Sequence, residues 1–71
     1  MTIGEKIYKF RNSLNLTQKQ FAEKSGFSQS SVNFWENGKR QPKIEQLQKI
    51  SSAFNVPIGT FIDSDLLGLT N

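Results

Sequence analysis

Residues 17–42 decide the fold, and they read TQKQFAEKSGFSQSSVNFWENGKRQP. Thr17 begins a capping box, in which an N-cap hydroxyl and a side chain three residues later bond each other's backbone N–H groups. Gly26 can adopt the positive φ that ends a helix, and Ser28 is a favourable N-cap for the next helix. The stretch therefore predicts one helix over roughly 18–25 and a second that starts after Ser28.

The second of these helices has an apolar side and a polar side. Val32 and Trp35, three residues apart, form its buried pair, and Asn37 with Gly38 is a typical C-terminal signal. The polar side carries Gln29, Ser30, Ser31, Asn33 and Phe34. Successive residues lie about 100° apart around a helix, so the ring beside the buried Trp35 is expected to stay exposed. Two helices joined by a short Gly-containing turn have the spacing of a helix-turn-helix.

A capping box and an amphipathic pattern also precede this stretch. Thr2 and Glu5 have the capping-box spacing. Spacings of four, three and four between apolar residues then predict a helix over roughly 3–13 with one buried face. That face carries Ile3, Ile7, Phe10 and Leu14.

Two more helices are predicted after the stretch. Apolar residues at spacings of three, three and four predict a helix over roughly 44–54. Its buried face carries Ile44, Leu47, Ile50 and Phe54. Pro57 suits the first position of a fifth short helix, on which Ile58, Phe61 and Ile62 are expected to be buried. No segment alternates with a period of two, so the fold class is all-α.

The composition limits the possible functions. The chain has 71 residues, enough for one domain, and it contains neither Cys nor His. Without them there is no disulfide, no zinc site of the usual kind and no Ser–His or Cys–His catalysis. We therefore predict a protein that is not an enzyme and that uses no metal, cofactor or small-molecule substrate. No apolar run approaches the ~20 residues of a membrane span, and the N-terminus lacks a signal-peptide pattern. The expected localisation is cytoplasmic.

Charge is distributed unevenly along the chain. Residues 1–43 hold eight basic and three acidic side chains, a net charge of +5, whereas residues 44–71 have a net charge of −2. A basic front half is typical of a surface that meets an anion. An ordinary solvated surface is the alternative interpretation.

Residues 3–62 resemble the Cro and phage-repressor (XRE) helix-turn-helix family. The resemblance rests on Thr17-Gln18, Phe21-Ala22, Gly26-Phe27-Ser28, Val32, Trp35-Glu36-Asn37-Gly38-Lys39 and Pro42, and it continues through Ile44, Leu47, Ile50-Ser51 and Ala53-Phe54-Asn55-Val56. It implies a compact, lambda-repressor-like bundle of five helices over residues 1–62, with the helix-turn-helix formed by helices 2 and 3. Residues 63–71 are then a C-terminal tail that makes a dimer contact, begins a linker or frays.

The resemblance also implies how this domain would bind double-stranded DNA. The second helix of the motif would lie in the major groove, where its side chains meet base edges. The positions that would read bases are Gln29, Ser30, Asn33 and Phe34. Phosphate contacts, which fix the register on the duplex, are implied at Gln18, Ser28, Ser31, Lys39, Arg40 and Lys43. For each polar position a solvated side chain is the alternative.

Two further groups have structural roles in the family. Arg11 and Glu36 match a pair that forms a salt bridge between helix 1 and the end of helix 3. Self-association involves the region around helix 5, which here contains Val56, Pro57, Ile58 and Phe61. A homodimer would place two recognition helices in major grooves about 34 Å apart on a two-fold symmetric operator.

The sequence thus favours a DNA-binding transcriptional regulator, more specifically a repressor, that is associated with the nucleoid when bound. One alternative is a protein-interaction module or antitoxin-type adaptor with the same fold. In that case an exposed Phe34 and the tail leucines, Leu66, Leu67 and Leu69, would contact protein. Another alternative is the N-terminal DNA-binding domain of a longer repressor.

Overall fold

Four α-helices and one 3₁₀ turn form the described part of the chain. The computed structural model describes residues 1–62. The helices are α1 (Ile3–Ser13), α2 (Gln18–Ser25), α3 (Gln29–Glu36) and α4 (Ile44–Phe54). These bounds confirm the four predicted helices, and residues 1–62 contain no strand. The predicted tail and its leucines lie outside the described residues.

The prediction of a fifth α-helix is wrong. A single 3₁₀ turn, Ile58–Thr60, stands in its place. The N–H groups of Thr60 and Phe61 donate to carbonyls three residues back, over 3.0 and 2.9 Å. Gly59 at the centre of the turn has low helix propensity, and so short a segment gains little from helix propagation. The turn nevertheless returns Phe61 and Ile62 to the core, where their side chains are 0% and 1% exposed.

Capping boxes begin α1 and α2. The Thr2 hydroxyl accepts from the Glu5 N–H over 3.1 Å, and Glu5 Oε1 accepts from the Thr2 N–H over 2.7 Å. Thr17 and Gln20 repeat this arrangement at 3.0 and 2.9 Å. The Thr2 backbone N–H and then the Thr2 hydroxyl lower the pKa of Glu5. The Glu5 carboxylate therefore stabilises the fold fully when the pH is above the ordinary Glu pKa. This contribution is lost as the pH falls through the lowered pKa of Glu5 in the folded protein.

The start of α4 and the ends of α2 and α4 rely on backbone geometry more than on side-chain caps. Lys43 occupies the N-cap of α4, and an ammonium group has no acceptor to offer. Gln46 Oε1 compensates in part by accepting from the Lys43 N–H over 2.8 Å. Gly26 ends α2 at φ 81°, and Asn55 ends α4 at φ 56°. Both left-handed residues are of types that tolerate this region.

The core lies where the four helices meet the 3₁₀ turn. Phe21 and Phe54 stack with 4.9 Å between ring centroids, and Phe10 meets Phe54 and Phe61 edge-on at 5.4 and 5.2 Å. Stacked and edge-on pairs are favourable ring geometries, and each ring removes a large apolar area from water. The buried apolar residues are Ile7, Phe21, Ala22, Val32, Trp35, Leu47, Ile50, Phe61 and Ile62.

Two residues that were assigned to buried helix faces are exposed. Leu14 is 44% exposed and Ile44 is 39% exposed. Leu14 is the C-cap of α1, with φ −96° and ψ 1°, so it has left the helical face. Ile44 is the first residue of α4 and precedes the turns that reach the core. The periodicity prediction therefore fails at helix ends, where the face is no longer continuous.

α1 and α3 approach so closely that only a glycine fits at their contact. A Cβ on Gly4 would lie 3.0 Å from the carbonyl carbon of Trp35 and 3.3 Å from Cα of Glu36, and it would overlap the Trp35 carbonyl oxygen. These are backbone atoms, which cannot rotate away. Gly4 thus fixes the spacing between the first helix and the motif.

Candidate nucleic-acid interface

A polar concavity lies on the outer side of α3. Its volume is about 220 Å³, and it is lined by Gln18, Gln29, Ser30, Asn33 and Phe34. We call these five residues the reading face. Val32 and Trp35, which are 0% and 3% exposed, hold the opposite side of the same helix in the core. All four predicted base-reading residues, and one predicted phosphate contact, therefore line one surface.

The turn between α2 and α3 is fixed on both sides. The Gly26 N–H donates to the Ala22 carbonyl at the end of α2. Phe27 packs edge-on against Trp35 with 5.1 Å between the centroids. The Lys49 ammonium of α4 lies 5.1 Å from the centre of the Phe27 ring. These contacts set the angle at which α3 presents the reading face.

Gln29 and Ser30 are the exposed members of the reading face. Neither side chain forms a hydrogen bond within residues 1–62. A glutamine amide offers donors and an acceptor, and a serine hydroxyl offers both functions in one group. A free amide of this kind suits adenine, which presents an acceptor and a donor in the major groove.

Asn33 belongs to a chain of hydrogen-bonded side chains beside the reading face. Arg11 Nε and Nη2 donate to the two carboxylate oxygens of Glu36 over 2.7 and 2.9 Å. Gln18 Nε2 donates to Glu36 Oε1 over 3.1 Å. Asn33 Nδ2 donates to Gln18 Oε1 over 3.3 Å, and Asn33 Oδ1 accepts from Asn37 Nδ2 over 3.2 Å. Both polar atoms of Asn33 therefore already have partners.

The Arg11–Glu36 ion pair connects α1 to the end of α3. The two side chains are only 11% and 4% exposed. The remaining Arg11 nitrogen, Nη1, donates to the Leu16 carbonyl over 2.8 Å. The hydrogen bond to Glu36 raises the pKa of Arg11, and desolvation opposes it less strongly. The guanidinium is thus held charged in a nearly buried position, which is the salt bridge that the family resemblance implies.

The expected phosphate contacts fall at helix starts and in one loop. Gln18 is the first residue of α2. The Ser28 hydroxyl caps α3, because it accepts from the Ser31 N–H over 3.1 Å and donates to the Ser31 hydroxyl over 3.0 Å. The loop between α3 and α4 carries three exposed cations, Lys39, Arg40 and Lys43.

Two backbone hydrogen bonds fold this loop back onto α3. The N–H groups of Lys39 and Arg40 donate to the Phe34 carbonyl over 2.9 and 3.3 Å. The guanidinium carbon of Arg40 lies 5.3 Å from the centre of the Phe34 ring. Phe34 is half-buried rather than fully exposed, because Arg40 covers part of its ring.

The four residues expected at a dimer interface differ in exposure. Pro57 is exposed, and Val56 and Ile58 are half-buried. Phe61 is 0% exposed within the subunit's own core. Its assignment to the interface is therefore corrected, because its side chain cannot meet a second copy without leaving the aromatic cluster.

Asn37 is the site residue that sequence analysis missed. It was identified only as a helix stop signal, although it stands four residues after Asn33 and side chains at that spacing meet.

Within residues 1–62 no helix is long and apolar enough to cross a membrane. The same part of the chain contains no group of acidic side chains arranged to hold a metal ion.

Known proteins resemble this chain over most of its length. A family model described as helix-turn-helix matches residues 7–61. The HTH-type transcriptional activator BcrR of Enterococcus faecalis is 37% identical over 94% of this chain and 33% of its own length. The cryptic phage CTXphi transcriptional repressor RstR of Vibrio cholerae is 36% identical over 82% of this chain and 52% of its own length. An uncharacterized HTH-type transcriptional regulator of Archaeoglobus fulgidus is 33% identical over 89% of this chain and 94% of its own length. The chain thus spans a third of BcrR and about half of RstR.

Proposed function

The chain belongs to the helix-turn-helix family, and from this premise we propose that it is a sequence-specific DNA-binding regulator of transcription that acts as a repressor in the cytoplasm. The XRE-type resemblance is confirmed by the family match and by the similarity to the phage repressor RstR. One observation carries the proposal. The outer side of α3 forms a polar concavity, and its two most exposed side chains, Gln29 and Ser30, have no partner within residues 1–62.

Base reading is assigned to the α3 side chains of the reading face. α3 is held by its buried side, so its polar side can enter a major groove without loss of core contacts. Gln29 is suited to adenine N6 and N7, and Ser30 can pair with any base. Asn33 lies in the same concavity, but its amide must exchange existing hydrogen bonds before it can read a base.

Phosphate binding is assigned to the start of α2 and to the loop after α3. The Gln18 amide is oriented by Glu36 and Asn33 and retains one N–H of Nε2 for an anion. The partial positive charge of a helix N-terminus favours a phosphate at the same place. The exposed cations Lys39, Arg40 and Lys43 add charge-assisted contacts.

A homodimer is assigned to the surface around the 3₁₀ turn. Val56, Pro57 and Ile58 keep apolar area accessible there. Two-fold pairing would place two copies of α3 in major grooves one helical turn apart, about 34 Å. Residues 1–62 form the DNA-binding unit in this proposal, and residues 63–71 remain a tail without an assigned role.

The salt dependence of binding tests the electrostatic part of the proposal. If each subunit neutralises three or four phosphates, log K should fall with log salt at a slope of about −5 to −7 for a dimer. Removing charge with Lys39→Ala and Arg40→Ala together should make that slope shallower by about 3 to 4. If the protein were instead an adaptor that binds another protein through apolar contacts, its affinity for that protein would hardly change with salt concentration or with the loss of these two cations. Fluorescence anisotropy with a labelled duplex at several salt concentrations measures the slopes, and a slope near zero for the wild type contradicts DNA binding.

Gln29→Ala tests base reading. In vitro selection from random DNA first supplies the preferred site and shows whether it is two-fold symmetric. On that site we expect a loss of about 1–3 kcal/mol and relaxed preference at one base position of each half-site. Gln48→Ala, an exposed glutamine of α4, is the matched control and should change neither quantity. An equal loss on all sequences would show that Gln29 positions the protein and does not read a base.

A further inference from the structure

We propose that Phe34 is a positioning residue: its ring holds the Arg40 guanidinium at the edge of the reading face, where Arg40 binds the DNA backbone. The inference rests on the proposed function. The family resemblance implies that Phe34 reads a base, which an apolar side chain does by touching a thymine methyl. The inference gives Phe34 a different role, the support of a phosphate contact made by Arg40.

The geometry of the loop brings the two side chains together. The guanidinium carbon of Arg40 is 5.3 Å from the Phe34 ring centre, inside the ~6 Å over which a cation is attracted by an aromatic face. The Arg40 N–H also donates to the Phe34 carbonyl over 3.3 Å. The backbone and the side chain of Arg40 are thus both held against one residue.

The Phe34 ring holds the Arg40 guanidinium in place while its hydrogen-bond donors stay free within residues 1–62. The Arg40 side chain is exposed and has no ion pair or hydrogen bond within residues 1–62. The other arginine of the chain, Arg11, has donors on all three guanidinium nitrogens engaged by Glu36 and Leu16. An aromatic ring occupies a face of the guanidinium plane and leaves the donors at its edge free. Arg40 is therefore the arginine that can make a new bidentate contact.

The position of the ring determines what Arg40 can reach. Phe34 lines the same concavity as Gln29 and Ser30. Arg40 does not itself line this concavity, but its guanidinium lies next to a residue that does. The planar fork of a guanidinium matches the two unesterified oxygens of a phosphodiester. Because the ring restricts the side chain before DNA arrives, less rotamer freedom is lost on binding.

A double-mutant cycle tests the inference on the selected duplex. Phe34→Leu should weaken binding of the wild type about 2–5-fold, the range expected for an exposed cation–π contact. In an Arg40→Ala background the same change should cost less than about 2-fold, because the group that Phe34 positions is gone. Lys39→Ala is the matched loop control. In that background Phe34→Leu should keep its full effect.

A uracil-containing duplex separates positioning from direct reading. Uracil in place of thymine removes only the methyl groups that an apolar side chain would contact. We expect the Phe34→Leu penalty to be the same on the thymine and uracil duplexes. A penalty that disappears on uracil and persists in the Arg40→Ala background overturns the inference, because Phe34 then reads a thymine methyl.

NMR of the free protein tests the contact without DNA. Arg40 side-chain protons should show a ring-current upfield shift in the wild type that Phe34→Leu removes. Absence of that shift overturns the inference even if the protein binds DNA. A wild type that recovers no sequence in selection and shows no salt-dependent binding overturns the proposed function, and the DNA role of Arg40 with it. When the wild type does bind, the mutant cycle, the uracil duplex and the NMR shift test the inference separately from the proposed function.

Discussion

Gly4→Ala is expected to destabilise the folded protein by about 3 kcal/mol, the upper end of the range for an overpacked contact. The added methyl group would overlap the Trp35 carbonyl oxygen and press on the Trp35 carbonyl carbon and the Glu36 Cα. A flexible side chain could move aside, but these atoms belong to the backbone of α3. Relief requires α1 to move away from the motif, which separates Ile7 from the core.

Urea denaturation measured through Trp35 fluorescence quantifies this loss, since the chain has one Trp. Gly59→Ala is the matched control. A Cβ on Gly59 meets nothing within 4 Å, and the residue does not have a left-handed φ. Its change should stay within about 1 kcal/mol and can be stabilising. Equal effects of the two substitutions would contradict the close approach of α1 and α3.

Breaking the Arg11–Glu36 pair from one side should be at least as severe. Arg11→Met leaves the Glu36 carboxylate, 4% exposed, without its cation. Glu36→Leu leaves the guanidinium without its anion. Each single change should cost about 3–5 kcal/mol, because an unpaired charge in a buried position keeps the desolvation penalty and loses the attraction that offset it.

The double variant Arg11→Met with Glu36→Leu distinguishes a charge effect from simple loss of contacts. It should lose clearly less than the sum of the two single variants, because no uncompensated charge remains. Recovery will be incomplete, since the Leu16 carbonyl and the Gln18 amide lose hydrogen-bond partners. Glu23→Leu, at an exposed position of α2, is the control and should change stability by less than about 0.5 kcal/mol. Strict additivity of the two single effects would contradict this account.

Local signals predicted the helices well and long-range contacts poorly. Capping residues and left-handed helix ends are encoded within a few positions, so the bounds of α1 to α4 were predictable. The prediction of a fifth helix failed because Pro57 is a typical helix start, whereas Gly59 and the shortness of the segment allow only a 3₁₀ turn. Gly4 escaped notice because its constraint comes from α3, some thirty residues away.

In the candidate site, too, local periodicity predicted where side chains lie but not which contacts they make with other elements. Periodicity placed Gln29 and Ser30 on the outer side of α3, where the structure has them. It could not show that Asn33 is already bonded to Gln18 and Asn37, because that chain joins two helices. Nor could it show that Arg40 covers Phe34, which depends on how the loop returns to α3.

The shortness of the helices has a consequence for how the DNA surface responds to damage elsewhere. No helix within residues 1–62 exceeds 11 residues, and isolated helices shorter than about 12–15 residues are marginal in water. α3 has 8 residues and would therefore not be stable as an isolated helix. It forms only when the whole domain folds cooperatively, so DNA binding in the proposed role depends on the fraction of molecules that are folded. A substitution away from the proposed DNA surface, such as Gly4→Ala, would then weaken DNA binding by lowering the concentration of folded protein, with the affinity of each folded molecule unchanged.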